Sequence, residues 1–208
     1  MRASSNEEPA DDAHNYHGLP QIAMALHLII FGRQGAGKGT QSQLIVDAFG
    51  VVHVSTGDML RAAIANETEL GLAAKAIMDA GGLVDDETMI GIVRERLAAD
   101  DVVANGVLLD GFPRTTAQAT ELVNILGDRT LDAAINLEVP IAEVTERMLA
   151  RGRDDDTPEA IAKRLELYES QTRPLLDWCK DQGLLMVVDG MGSEEEVFER
   201  VKTRLDDL

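Results

Sequence analysis

Five short apolar runs punctuate the chain: Leu26 to Phe31, Val51 to Val54, Val107 to Asp110, Ala134 to Val139 and Leu184 to Asp189. They are continuous rather than alternating, which suits strands buried on both faces of a parallel sheet. Helical patterns separate them, so the reading is an α/β fold with three layers, α/β/α, around a five-stranded parallel sheet. Helix starts are marked by Thr157-Pro158, an N-cap followed by proline, and by Ser193-Glu194-Glu195-Glu196, a capping box. Val139-Pro140 turns a strand end into a helix start, and Gly81-Gly82 can end the helix that carries Ala73, Ala74, Ile77 and Met78.

Strand spacing is uneven. About fifty residues separate the second and third runs, far more than one crossover helix needs. Residues 55–84 therefore read as an inserted helical unit, and a very short excursion is expected near Arg151 to Thr157. The expected core is 26–54, 85–149 and 157–208, with a lid of about 150–156. Residues 1–25 stand apart: Met1 to Pro20 holds four acids, one arginine, two prolines and almost no aliphatic residue. They read as a disordered extension without signal or import character, and Met24 is an alternative start.

Composition narrows the partners. A net charge of −18 speaks against nucleic acid or an anionic membrane as the main partner, and no apolar run reaches membrane-spanning length. One cysteine, Cys179, excludes an internal disulfide, and with four scattered histidines it leaves no structural zinc site. A reducing, cytoplasmic setting and a monomer are expected. Cations are scarce and mostly arginine, 14 against 5 lysines, so an acidic protein that handles phosphate has to concentrate them in one cleft.

That phosphate is handled follows from Gly32-Arg33-Gln34-Gly35-Ala36-Gly37-Lys38-Gly39-Thr40, set between the first strand and a helix from Thr40 to Phe49. The glycines let several N–H groups converge on one anion, the helix start adds partial positive charge, and Lys38 can reach the outer phosphates. Gly39 stands where the general pattern has Ser or Thr, with Thr40 after it. Ser55-Thr56-Gly57-Asp58-Met59-Leu60-Arg61 follows the second strand, where loops hold ligands. Taken alone it fits either an N-cap with a surface arginine or a second phosphate contact through Thr56 and Arg61. The third strand ends in Asp110-Gly111-Phe112-Pro113-Arg114, with Gln118 beyond, and a strand-end carboxylate beside a phosphate loop suits Mg²⁺ and its waters. Arg147, Arg151, Arg153 and Arg164 cluster around one loop. Singly, each could be a solvated charge paired with Asp154, Asp155 or Asp156; together, in so acidic a chain, they point to a phosphate clamp.

In order and spacing these segments resemble adenylate kinases, of the nucleoside monophosphate kinase family, from about Leu26 to the C-terminus. The family also has glycine after the lysine. The resemblance implies ATP + AMP ⇌ 2 ADP with Mg²⁺. It implies that Gly35, Ala36, Gly37, Lys38, Gly39 and Thr40 hold the donor phosphates, with Arg147 and Arg151 facing them and the Gly192 backbone touching the donor adenine. AMP would meet Thr56, Arg61, Gly82, Leu83, Val84, Gly111, Phe112, Pro113, Arg114 and Gln118, the last reading adenine. Arg153 and Arg164 would bridge the moving phosphoryl group, and Asp58 and Asp110 would order the waters of Mg²⁺. Lys38, Arg114, Arg147, Arg151, Arg153 and Arg164 form the implied catalytic set. Residues 55–84 become the unit that binds the nucleoside monophosphate (NMP). Two departures stand out: Gln34 replaces the family's usual proline, and the lid is short, without a zinc-binding insert. A UMP/CMP kinase of the same fold and a non-catalytic nucleotide-binding module are the alternatives; Thr56 and Gln118 favour AMP over the first, and the full arginine set disfavours the second.

Overall fold

The computed structural model describes residues 25–153 and 155–208; the N-terminal segment up to Met24, and Asp154, lie outside the described residues. Strands β1 (Leu26–Phe31), β2 (Val52–Ser55), β3 (Gly106–Asp110), β4 (Ala133–Glu138) and β5 (Leu185–Asp189) form one sheet, ordered β2-β3-β1-β4-β5. All pairings are parallel, as the continuous apolar runs predict. β1 lies at the centre, with Ile30 registered against Asp110 on one side and Ile135 on the other.

Both faces of the sheet are buried, and β1 divides its side chains between them. Ile29 and Phe31 join one core with Val93 and Leu97 of α4 (Asp86–Leu97), Val102 of α5 (Asp100–Asn105), Leu122 of α6 (Thr116–Leu126) and Leu175 of α9 (Arg173–Asp181). Leu28 and Ile30 join the other with Ile45 of α1 (Lys38–Phe49), Val144 and Met148 of α7 (Ile141–Arg151), Ile161 of α8 (Pro158–Leu167), and Val197 and Val201 of α10 (Glu194–Leu205). This is the three-layer arrangement that the period-two alternation of doubly buried strands requires.

Between β2 and α4 the chain leaves the sheet as α2 (Thr56–Ala65) and α3 (Glu69–Asp79). The two helices pack backbone against backbone at Gly71, where a Cβ would lie 2.1 Å from the Ala63 carbonyl oxygen. Gly81 and Gly82 donate to Met78 and Ile77 carbonyls (2.9 and 2.8 Å), closing α3 with the glycine stop expected there. Thr157 caps α8 with proline behind it, and Ser193 and Glu196 complete the capping box of α10. The link from α7 to α8 is residues 152–157. One element has no counterpart in the sequence reading. Tyr168–Thr172 is a π-helical turn joining α8 to α9, a form that often sits at functional sites.

Candidate active site

The phosphate loop runs from the end of β1 into α1. Gly37 is the N-cap of α1 at φ 91°, and Gly35 sits at φ 82° with its α-carbon against α7: a Cβ there would lie 2.6 Å from the Val144 carbonyl oxygen. Only glycine takes both constraints. The first turn of α1 carries no acidic residue, so its N–H groups and partial positive charge are left for an anion. Lys38 Nζ donates to the Gly32 and Arg33 carbonyls at 2.8 and 3.2 Å, which folds the lysine over the loop. Burial holds its pKa below the usual lysine value; Asp110 pulls it back up, and Arg114, Arg151 and Arg153 push it down.

Asp110, at the end of β3, is adjacent because β3 pairs directly with β1. Burial works against its ionised form, yet His53, Lys38 and Arg114 outweigh burial and keep the carboxyl below the ordinary aspartate range. His53 Nε2 stands 3.7 Å from Asp110 Oδ2. Beyond it, Arg114 turns back so that Nε donates to the Gly111 carbonyl at 2.8 Å, and burial lowers its pKa, although a guanidinium remains charged throughout the working range. Thr56 Oγ1 donates to the Asp110 carbonyl at 3.4 Å, tying the start of α2 to the end of β3.

Most of the arginines around the cavity keep carboxylate company. Arg61 bonds Asp58, Arg147 Nε donates to Glu143 at 2.8 Å, and Arg164 bonds Asp155. Asp156 is a hub in the link between α7 and α8. Its carboxylate accepts two bonds from Arg151 (2.9 and 2.7 Å), one from Arg164 Nη1 (3.3 Å) and the Arg153 backbone N–H (3.1 Å). These arginines thus pair with acids and also face one cavity.

That cavity has a volume of about 500 Å³. It brings together Gly35, Gly37, Lys38, Gly39, Thr40, Thr56, Asp58, Arg61, Gly82, Leu83, Val84, Asp110, Gly111, Pro113, Arg114, Gln118, Arg147, Arg151, Arg153 and Arg164. A smaller cavity of about 300 Å³ adjoins it, sharing Gly35, Gly37, Thr40 and Arg147, and takes in Ala36 and Gly192. Phe112 is the exception among the expected residues. Its side chain, 1% exposed, belongs to the core beneath the site and lines neither cavity, because the turn at Gly111 sends the ring inward.

Several residues at the site escaped sequence reasoning. Tyr168 and Thr172 line the large cavity from the π-helical turn, and Arg33 stacks over the Tyr168 ring at 5.4 Å while its Nε donates to Glu169 at 2.8 Å. Gln41 and Gly190 line the small cavity. His53 had a visible signal, a lone polar residue within an apolar strand run. Asp86 had one too: Asp85 already caps α4, accepting from Thr88 N–H, so the second aspartate was spare.

The family model described as Adenylate kinase matches residues 30–184. The chain belongs to the adenylate kinase family. The adenylate kinase of Shouchella clausii is 44% identical, over 86% of this chain and 98% of its own length. That of Leptospira biflexa is 48% identical, over 84% and 96%. That of Methanosarcina barkeri is 42% identical, over 86% and 98%. The matched span runs from the end of β1 through the phosphate loop and the arginines at 147–164 to the residue before β5. Among the described residues, no helix is long and apolar enough to cross a membrane.

Proposed function

We propose that the chain catalyses ATP + AMP ⇌ 2 ADP in the large cavity. The observation that carries this reading is the concentration of charge: Lys38 and six arginines line one cavity in a chain of net charge −18. A single phosphate loop needs one triphosphate's worth of cations; so many, spread from Lys38 to Arg61, suit two nucleotides meeting through their phosphates. In the forward direction an oxygen of the AMP phosphate bonds to the γ-phosphorus as its bond to the ADP leaving oxygen breaks. Such a transfer asks for alignment and charge neutralisation rather than covalent help. The loop N–H groups and Lys38 hold the donor, Arg61 and Arg114 hold the acceptor, and Arg147, Arg151, Arg153 and Arg164 surround the moving group.

The donor set also fits Mg²⁺. Among the described residues no group of three or more His, Cys, Asp or Glu could bind a metal directly, whereas Asp110 is held ionised beside Lys38, with Asp58 lining the same cavity. Two carboxylates acting through water suit an ion carried in with ATP, and that ion supplies charge neutralisation at the phosphate oxygens. Residues 55–84 and the 150–156 lid are the pieces that close over the nucleotides to exclude water. We place the enzyme in the cytoplasm as a monomer, with nucleotides as its partners rather than nucleic acid. A coupled assay with ATP and Mg²⁺, offering AMP, UMP, CMP and GMP in turn, tests the reading: ADP formation with AMP is expected, and ATP binding without ADP formation from AMP would overturn it.

A further inference from the structure

One carboxylate beside the cavity has both of its oxygens bonded to neighbouring side chains. Asp86 Oδ1 accepts from Gln118 Nε2 at 2.8 Å, and Oδ2 accepts from Thr115 Oγ1 at 2.9 Å. At its other end the Gln118 carboxamide accepts, through Oε1, the backbone N–H of Arg114 at 2.8 Å. Gln118 is 2% exposed, and what it does expose faces the large cavity.

A primary carboxamide has two N–H donors and two acceptor lone pairs. Here one of each is consumed by the protein, leaving one N–H and one lone pair in a fixed order. Reversing the amide would set its oxygen against the Asp86 carboxylate and its NH₂ against the Arg114 N–H, so both contacts would become repulsive. A 6-amino purine presents a donor at N6 beside a ring-nitrogen acceptor, the pattern a carboxamide pairs with in bidentate fashion. A 6-oxo purine presents an acceptor at that position, and on its N1 edge donor and acceptor are interchanged. On either edge the fixed amide loses at least one match with the 6-oxo base; the reversed amide would gain both on the N1 edge.

We propose that Asp86 is a specificity-positioning residue: by fixing which way round the Gln118 amide lies, it makes the acceptor site take a 6-amino purine nucleotide and refuse a 6-oxo one. The inference rests on the proposed function, in which Gln118 faces the acceptor base. The test is steady-state kcat/KM with ATP and either AMP or inosine monophosphate, for the parent, Asp86→Asn and Asp86→Ala. The parent is expected to prefer AMP by about 10³ or more, since a site built to pair polar groups rejects an analogue that leaves them unmatched. Exchanging the charged partner for a neutral or absent one is expected to lower the AMP-to-inosine ratio by about tenfold. A ratio that falls less than threefold in both variants, or an equal loss of both activities, overturns the proposal, because damage to the fold lowers both alike. A parent that uses both nucleotides equally well would refute the acceptor reading instead.

Discussion

Replacing Asp156 by asparagine keeps the shape of the hub and removes its charge. The Asp156 side chain is 1% exposed, while its partners Arg151 and Arg164 are 32% and 9% exposed. Asparagine can accept through one oxygen only, and its NH₂ group would face a guanidinium. Severing a fully buried pair costs about 3–5 kcal/mol, whereas an exposed one contributes about 0.2–1 kcal/mol. Arg151 reaches solvent and Arg164 retains Asp155, so the expected loss is about 2 kcal/mol, between those limits. For a domain of this size that is a fall in Tm of about 4–8 °C at pH 7. The pH dependence has a definite sign. Burial alone would raise the Asp156 pKa, but the bond from Arg151 and the Arg153 N–H override it, leaving the group below the ordinary aspartate value. Its contribution is therefore complete above that value and disappears as pH falls through the folded pKa, so the parent and Asp156→Asn should converge in acid. Thermal unfolding followed by circular dichroism from neutral pH into acid reads both effects. Because Arg151 and Arg164 lose a common anchor, kcat should fall more than KM rises. A Tm within about 2 °C of the parent at pH 7, the shift that an exposed pair worth about 1 kcal/mol would give at the least, would refute the hub's structural role.

Arg114→Ala should lower kcat by about 10³-fold, the lower range for an arginine acting on a transferring phosphoryl group, with an unchanged circular dichroism spectrum; near-normal turnover would remove Arg114 from the catalytic set. Arg33→Ala should weaken ATP binding several-fold and lower stability by about 1 kcal/mol, the upper value for a partly exposed pair. It severs the bonds from Arg33 to Glu169 and to the Val139 carbonyl, at 3.2 Å, that steady the loop against the π-helical turn. Unchanged titration of ATP binding and unchanged Tm would refute this. For His27, burial lowers the pKa below 6.5, with Asp132 raising it and Arg129 lowering it. The unfolded chain thus takes up the proton first as pH falls, and stability is lost in the window just below pH 6.5. His27→Leu should flatten the Tm profile between pH 7 and 5; parallel profiles would show that the histidine contributes nothing there.

The elements that repeat a simple physical rule were legible in the sequence. A strand buried on two faces has to be apolar throughout, so all five strands appear as runs, with ends within one or two residues of those observed. Thr157 and Ser193 announce helix starts because a hydroxyl accepting an orphan N–H leaves a local signature. The site was legible where chain-adjacent residues do the work, as in the phosphate loop and the turn after β3. It was illegible where the candidate site is built from contacts across long separations. Glu169 meets Arg33 from 136 positions away, and Asp86 meets Gln118 from 32. Phe112 shows the opposite failure: a residue inside a ligand-binding segment whose side chain serves the core, because alternate residues of a tight turn face opposite ways.

An acidic protein that handles polyphosphates must gather cations without letting their mutual repulsion open the cleft. The pairing pattern meets that demand locally. Arg61, Arg147, Arg151 and Arg164 each rest against a carboxylate, of Asp58, Glu143, Asp156 and Asp155 respectively. Lys38 rests on backbone carbonyls. Asp58 and Asp155 themselves line the large cavity, so phosphates approaching Arg61 or Arg164 meet a carboxylate already in place and must displace or share it. Asp156 and Glu143 do not line it and can stay bonded to Arg151 and Arg147 while the far sides of those guanidiniums turn to substrate. The arginines fall into two classes on this ground. Arg61, on α2, and Arg164, on α8, have to exchange or share a carboxylate as phosphate arrives, although Arg164 keeps a second bond to Asp156. Arg147 and Arg151, both on α7, can face the cavity while keeping their carboxylates, so phosphate contact there needs no exchange of ion-pair partners.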